Sequence, residues 1–385
     1  MATDQMPVTP ALITWARERA GFSAEEAAAK FRKIAAWEAG NGAPTYPQLE
    51  DLAEAFKVPV AVFFFPVPPK VPSITENFRT IPQAQLDMIA PRIRLLLRKA
   101  KAFQISLAEL NGGRNPAPRL ITQHIHVGSD ISAGELADRV RAFLGVSIEQ
   151  QISSPNVEIA LEQWRSAFAN VGVYIFKDAF KSPAYAGFCI YDSEFPIIYV
   201  NNSAAKERQI FTLFHELGHL LFHTSGIDFR SDELFSHLRG EARQIEVLCN
   251  RFAGVFLVPE DALLQEMQGR EPTETAAREL GRVFKVSWLV IYRRFLDLRL
   301  IKREMYAAAQ SQADAAQLAE RDEAGGGNYY NTTISYLGRE FIGLAMREYY
   351  QNRITEEELA GHLGVALKNL NGIEDRFLKS QAAHA

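Results

Sequence analysis

Apolar and polar positions along the chain follow two periods. A period near 3.6 dominates and predicts helices; a period of two appears once, near the middle. Thr9-Pro10 opens a helix through Trp15 to about Ala20, and Gly21 stops it. Ser23 with Glu26 spells a capping box for a second helix, residues 31–39 predict a third, and Asn41-Gly42 turns the chain. Pro47 to Phe56 predicts a fourth, with Leu49, Leu52, Ala53 and Phe56 on one face. The prolines at 66, 68, 69 and 72 make 66–72 a stiff linker. A long amphipathic helix is expected over 83–111, with Arg92, Arg94, Arg98, Lys99 and Lys101 on its polar sides, then helices at 133–144 and 157–170. The period-two segments Gly172–Phe176, Tyr185–Tyr191 and Pro196–Val200 predict three short strands, the last two joined as a hairpin at Asp192-Ser193. A helix from about Ala204 to Phe222, a polar loop, helices at 240–257 and 259–268 and three short helices within 273–304 follow. Residues 308–328, rich in Ala, Gln, Asp and Glu and closed by three glycines, read as a linker; 334–385 form a last helical unit.

One pattern recurs at irregular spacing: Leu52 to Val58, Leu280 to Val286 and Leu359 to Val365. It marks a helix packed on the tight turn that ends it, which speaks to architecture and not to function. Composition adds bounds. The chain has 385 residues, a net charge of −4, 47% hydrophobic and 23% charged residues, enough for two or three folded domains and too apolar for disorder. Cys189 and Cys249 supply neither a CxxC metal site nor a disulfide framework. The first residues mix acids and bases where a signal peptide needs an apolar core, and the apolar run 58–65 is too short to span a bilayer. A cytoplasmic protein without membrane partners is expected.

The sharpest chemical signal is His215-Glu216-Leu-Gly-His219 inside an otherwise Phe/Leu-rich helix. Histidines four apart share a helix face and can bind one divalent ion, and a glutamate beside the first can take a proton from water there. Burying this trio in an apolar helix without a ligand would be costly. His223 lies about 12 Å further along a continuous helix, too far for the same ion. The better third ligand is Glu246, on an apolar segment where it shares a stripe with Asn250 and Ala253; its alternative role is an ion pair with Arg243 or Arg251. Asn250 and His223 are candidates for supporting the ligands, Ala253 and Gly254 for close helix approach, and Asp228, Glu233, His237 and Glu241 are weaker ligand candidates.

The strand PIIYVN, the helix ERQIFTLFHELGHLLFH and the segment IEVLCNRFAGVFLVP together resemble the ImmA/IrrE family of metallopeptidases, over roughly residues 150–305. The resemblance implies an α+β, mostly α fold: a zincin-like core with a small three-stranded sheet, flanked by all-α units. It implies Zn2+ (with Mn2+ left open) held by His215, His219 and Glu246, and Glu216 as the catalytic base. It further implies cleavage of a specific regulatory protein, often a transcriptional repressor, in stress response or related control. Residues 8–65 resemble an XRE-type helix-turn-helix domain, through Leu12, Ala16-Arg17, Ala20-Gly21, Glu26-Ala27-Ala28, Ile34, Trp37-Glu38 and Pro44-Thr45 to Leu52-Ala53. The expected domains are 1–65, an XRE-like unit; 66–150, linker and connector; 151–307, the peptidase; and 328–385, a C-terminal helical unit. DNA is a candidate partner through 8–65 or through 278–303, where eight Lys/Arg face two acids for a net of +6. Residues 1–70 hold seven Lys/Arg and eight Asp/Glu, so the unit that resembles a DNA reader has a net of −1, and a docking or oligomerisation role is its alternative. The edge of the sheet near 185–200 is a candidate place for a substrate to add as a strand. The competing function is a transcription regulator or antirepressor that binds partners without cutting them.

Overall fold

The computed structural model describes residues 5–70, 89–128, 131–229, 240–319 and 328–382. The chain divides into two units, residues 1–99 and 100–385.

In the first unit α1 (Pro10–Ala20) starts on its proline, and α2 (Ala24–Lys30) starts on the expected capping box: the Glu26 amide donates to Ser23 Oγ at 3.1 Å and the Ser23 amide to Glu26 Oε2 at 2.8 Å. The third helix is shorter than the apolar spacing predicts. α3 spans only Ile34–Glu38, because Phe31 leaves the helix in extended conformation and sets its ring edge-on against Phe56 at 5.9 Å. α4 (Tyr46–Phe56) closes the unit over a core of Leu12, Ile13, Ile34, Leu49, Leu52, Phe56 and Phe63. Arg17 on α1 pairs with Glu38 on α3 at 2.7 Å. The boundary between units falls within α5 (Pro91–Leu110); the expected start at 83 lies outside the described residues.

In the second unit, α6 (Ile121–His124), α7 (Ala133–Leu144), α8 (Ile148–Ile152) and α9 (Val157–Asn170) precede the sheet. Ser132 caps α7 by accepting from the Glu135 amide, and Asn156 caps α9 by accepting from the Ile159 amide. The sheet has four strands where three are expected: β1 (Tyr174–Asp178), β2 (Tyr185–Ile190), β3 (Ile197–Asn201) and β4 (Gly226–Phe229), in the order β1-β3-β2-β4. β1 runs parallel to β3, and β2 runs antiparallel to both β3 and β4. β4 comes from the stretch that reads as polar loop; four residues are too few to show a period. Its presence puts both β2 and β3 in the interior, so neither segment within 185–200 is the free edge expected for strand addition.

α10 (Lys206–Leu221) lies on the sheet, and α11 (Gly240–Leu257) packs on α10 and α7. One core runs from Ile121 to Ala309, so helices expected in a connector line the same interior as α10. Its centre is aromatic: Phe214 stacks on Phe256 at 4.1 Å and meets Trp164 edge-on at 4.9 Å. α12 (Glu260–Glu266), α13 (Glu274–Phe284), α14 (Trp288–Asp297) and α15 (Arg303–Ala319) follow. α15 replaces the linker expected from 308; its alanine-rich composition favours helix once Ala309 is buried against the core. α16 (Tyr329–Leu337), α17 (Arg339–Tyr350), α18 (Glu356–Leu363) and α19 (Leu370–Ala382) complete the chain, with Phe341 edge-on to Phe176 of β1 at 5.1 Å.

The recurring pattern has one structural meaning. At the ends of α4, α13 and α18 the chain turns left-handed at Lys57 (φ 53°), Lys285 (φ 58°) and Gly364 (φ 65°). The next residue, a valine each time, donates its amide to the carbonyl five back: Val58 to Ala53, Val286 to Gly281 and Val365 to Ala360, at 2.9–3.1 Å. This is a Schellman stop whose valine packs back against the helix.

Candidate metal centre

α10 is buried on nearly all sides, and its polar side chains converge on α11. His215, Glu216 and His219 are 0%, 0% and 4% exposed. His215 Nε2 and His219 Nε2 lie 3.2 Å apart; Glu246 on α11 places Oε2 3.4 Å from the first and Oε1 3.2 Å from the second. These separations bear directly on whether an ion fits. A tetrahedron whose corners lie about 2.0–2.1 Å from its centre has edges of about 3.3–3.4 Å. The two imidazole nitrogens stand about one such edge apart, Glu246 sets one carboxylate oxygen against each of them, and the donor set of two imidazoles and one carboxylate suits a divalent ion. Burial pushes the Glu246 carboxyl up, but the facing imidazoles of His219 and His215 more than offset this and hold it well below the usual carboxylate range.

Close approach between backbones makes this convergence possible. A Cβ on Gly218 would lie 2.8 Å from Cys249 Sγ and 3.1 Å from Cys249 Cβ, so α11 can cross α10 here only against a glycine. The Ala253–Gly254 step expected to allow this approach does not perform it; a Cβ on Gly254 would make only an ordinary contact with Arg294. A Cβ on Gly226 of β4 would lie 2.9 Å from His219 Cγ, so the fourth strand closes on the imidazole and fixes its plane. Beside it Cys189 on β2 accepts the Gly226 amide at 3.3 Å, and burial and the nearby Glu216 carboxylate push its thiol well up. Neither β4 nor Cys189 carried a sequence signal, because both act through strand pairing across 37 residues.

The supporting candidates point elsewhere. Asn250 donates from Nδ2 to the Glu246 carbonyl at 3.1 Å, along its own helix. His223 lies past the end of α10 with φ 56°, its Nε2 3.0 Å from the Thr122 carbonyl and its ring stacked on Tyr191 at 4.8 Å. Glu233 and His237 lie outside the described residues, as do the side chains of Asp228 and Glu241.

The basic stretch 278–303 does not present one face. Arg294 is buried, donates to the Val258 carbonyl at 3.0 Å and pairs with Asp297. Arg293 also pairs with Asp297, and Lys285 donates to three backbone carbonyls. α14 turns Ile291, Tyr292, Arg294 and Phe295 inward, which takes Arg294 out of the basic surface.

Among known proteins, residues 168–296 match the family Peptidase_M78, described as the IrrE N-terminal-like domain. The radiation response metalloprotease IrrE of Deinococcus radiodurans is 35% identical over 99 residues, 25% of this chain and 30% of that protein. The protein of the same description from Deinococcus deserti is 35% identical over 99 residues, 25% of this chain and 34% of its own. The chain spans about a third of the length of the curated relatives it matches.

Proposed function

We propose that residues 168–296, which match the IrrE N-terminal-like domain, act as a metallopeptidase that hydrolyses a peptide bond in a specific regulatory protein, with Zn2+ held by His215, His219 and Glu246. The observation that carries this reading is the convergence of His215 Nε2, His219 Nε2 and the Glu246 carboxylate, with contacts of 3.2–3.4 Å, in a buried site. A bound zinc ion supplies Lewis acidity, polarising a carbonyl and making nearby water a better acid. The chain does the rest. Glu216 takes the proton of the attacking water on one Oε and returns it to the leaving amine. β2 backs that carboxylate: a Cβ on Gly187 would lie 3.7 Å from Glu216 Oε1. Apolar packing around Phe214 keeps bulk water from the helix behind it.

We read the protein as cytoplasmic, and no helix among the described residues is long and apolar enough to cross a membrane. We read the first unit as a docking module rather than a DNA reader. Its third helix, five residues long, is short for a groove, and residues 1–70 carry a net charge of −1.

The test is to incubate the zinc-loaded protein with regulators encoded beside its gene and look for a single cut. Glu216→Gln is expected to keep one zinc per chain and to lose cleavage by a factor of about 10²–10⁴. Cleavage by Glu216→Gln at the original rate would overturn the assignment of the base. Tight binding of a regulator with no cut by the zinc-loaded protein would favour action by capture.

A further inference from the structure

We infer that the cavity between the start of α9, the first turn of α10 and the turn joining α13 to α14 binds a nucleoside monophosphate. The cavity holds about 510 Å3 and is lined by Arg278, Arg282, Lys285, Glu207 and Trp288 among others. That is the size of a small-ligand site.

The lining separates into parts with different chemistry. Lys285 is already committed: its ammonium donates to the carbonyls of Ile152, Arg282 and Val283 at 3.0–3.3 Å. It therefore contributes charge more than a bond. Arg282 is exposed and makes no hydrogen bond or ion pair among the described residues, so its planar fork is open to a bidentate oxyanion. α14 adds to this end. It begins at Ser287 with no side-chain cap and no acid in its first turn, so no carboxylate of its own offsets the cations there. The Arg278 guanidinium lies over the Trp288 ring at 4.2 Å, making a flat, cationic stack against which a planar heterocycle can lie.

Charge narrows the class of ligand. Three cations and one carboxylate leave the wall at +2. A phosphomonoester carries about −1.5 to −2 at neutral pH and matches this. Glu207 argues against a bare anion, which it would repel, and for a ligand that also brings hydroxyl or amino donors. Inorganic phosphate would leave both Glu207 and the Arg278–Trp288 stack unused.

Calorimetry on the full chain tests this with the four common 5′-ribonucleoside monophosphates, their nucleosides and inorganic phosphate. At least one monophosphate is expected to bind at least ~10-fold more tightly than its own nucleoside and than phosphate. Arg282→Glu and the milder Arg282→Gln should each weaken it, the first by ~10-fold or more, while Arg353→Glu on the exposed C-terminal helices leaves it unchanged. Circular dichroism confirms that each variant is folded. The inference is overturned if none of the four binds, if phosphate binds as well as the best of them, or if both Arg282 variants keep the original affinity. Binding of duplex DNA or an acidic peptide that depends on Arg282, with no nucleotide binding, also overturns it. Because the measurement needs neither cleavage nor metal, its failure leaves the peptidase reading untouched.

Discussion

The second unit buries two polar clusters, and they are built on opposite plans. At the metal centre, two imidazoles and a carboxylate face one point with no cationic side chain among them. At the β1 edge of the sheet, Arg165 and Lys177, each 2% exposed, close on Glu162 at 3.1 and 3.0 Å. Arg165 also donates to the Ile175 and Ser335 carbonyls, which ties α9 to β1 and to α16. The second cluster contains its own counter-charge within the chain. The first contains no Lys or Arg, and its donors converge within reach of a single ion. A buried polar group is thus a sign of a ligand only when its neighbours lack the complement, and of a clasp when they supply it.

That contrast can be broken experimentally. Chelation should destabilise the fold by about 2.7–4.1 kcal/mol if the free ion had exceeded its dissociation constant by about 100–1,000-fold. Thermal melts with and without EDTA measure this, and hydrogen exchange should place the loss in α10 and α11, not in α9 and α16. An unchanged melt would make the metal centre a second clasp. A smaller effect separates the clusters by pH. Burial raises the Glu162 carboxyl, but Arg165 and Lys177 override it and hold it at about 2, below its usual 4.5. A lowered carboxyl stabilises the fold fully above the unfolded value and loses that contribution as pH falls from about 4.5 towards 2. The Glu162 side chain is 42% exposed, so solvent screening keeps the contribution near or below about 1 kcal/mol. Glu162→Gln should therefore flatten the acid limb of the stability curve by that amount and leave metal content unchanged; equal acid limbs in the two proteins would sink the clasp.

The same division explains what could be read from residues alone. The helices with strong apolar stripes, α4, α7, α9, α10 and α11, stand within a few residues of where their periods place them. His215, Glu216, His219 and Glu246 could be picked out because charges in apolar helices are conspicuous along the chain. What escaped is set by partners distant in sequence. β4 exists because β2 needed a second neighbour, α15 because the core reaches Ala309, and α3 is short because Phe31 turns to Phe56. The α10–α11 crossing belongs to Gly218 and Cys249, whose meeting no local pattern announces.

The three Schellman stops share a sequence pattern but not a tolerance for change. Lys57 is exposed and strained by its left-handed backbone, so Lys57→Gly should leave stability equal or raise it by about 0.5–1 kcal/mol. Lys285 has the same backbone, yet its ammonium closes the ends of α8 and α13 through three carbonyls. Lys285→Gly should gain the same relief and lose more than it gains. In a mutational scan read by chemical denaturation, two lysines at equivalent positions of one motif would score with opposite signs. A consensus built by aligning the repeats would thus improve one end of this chain while damaging the other.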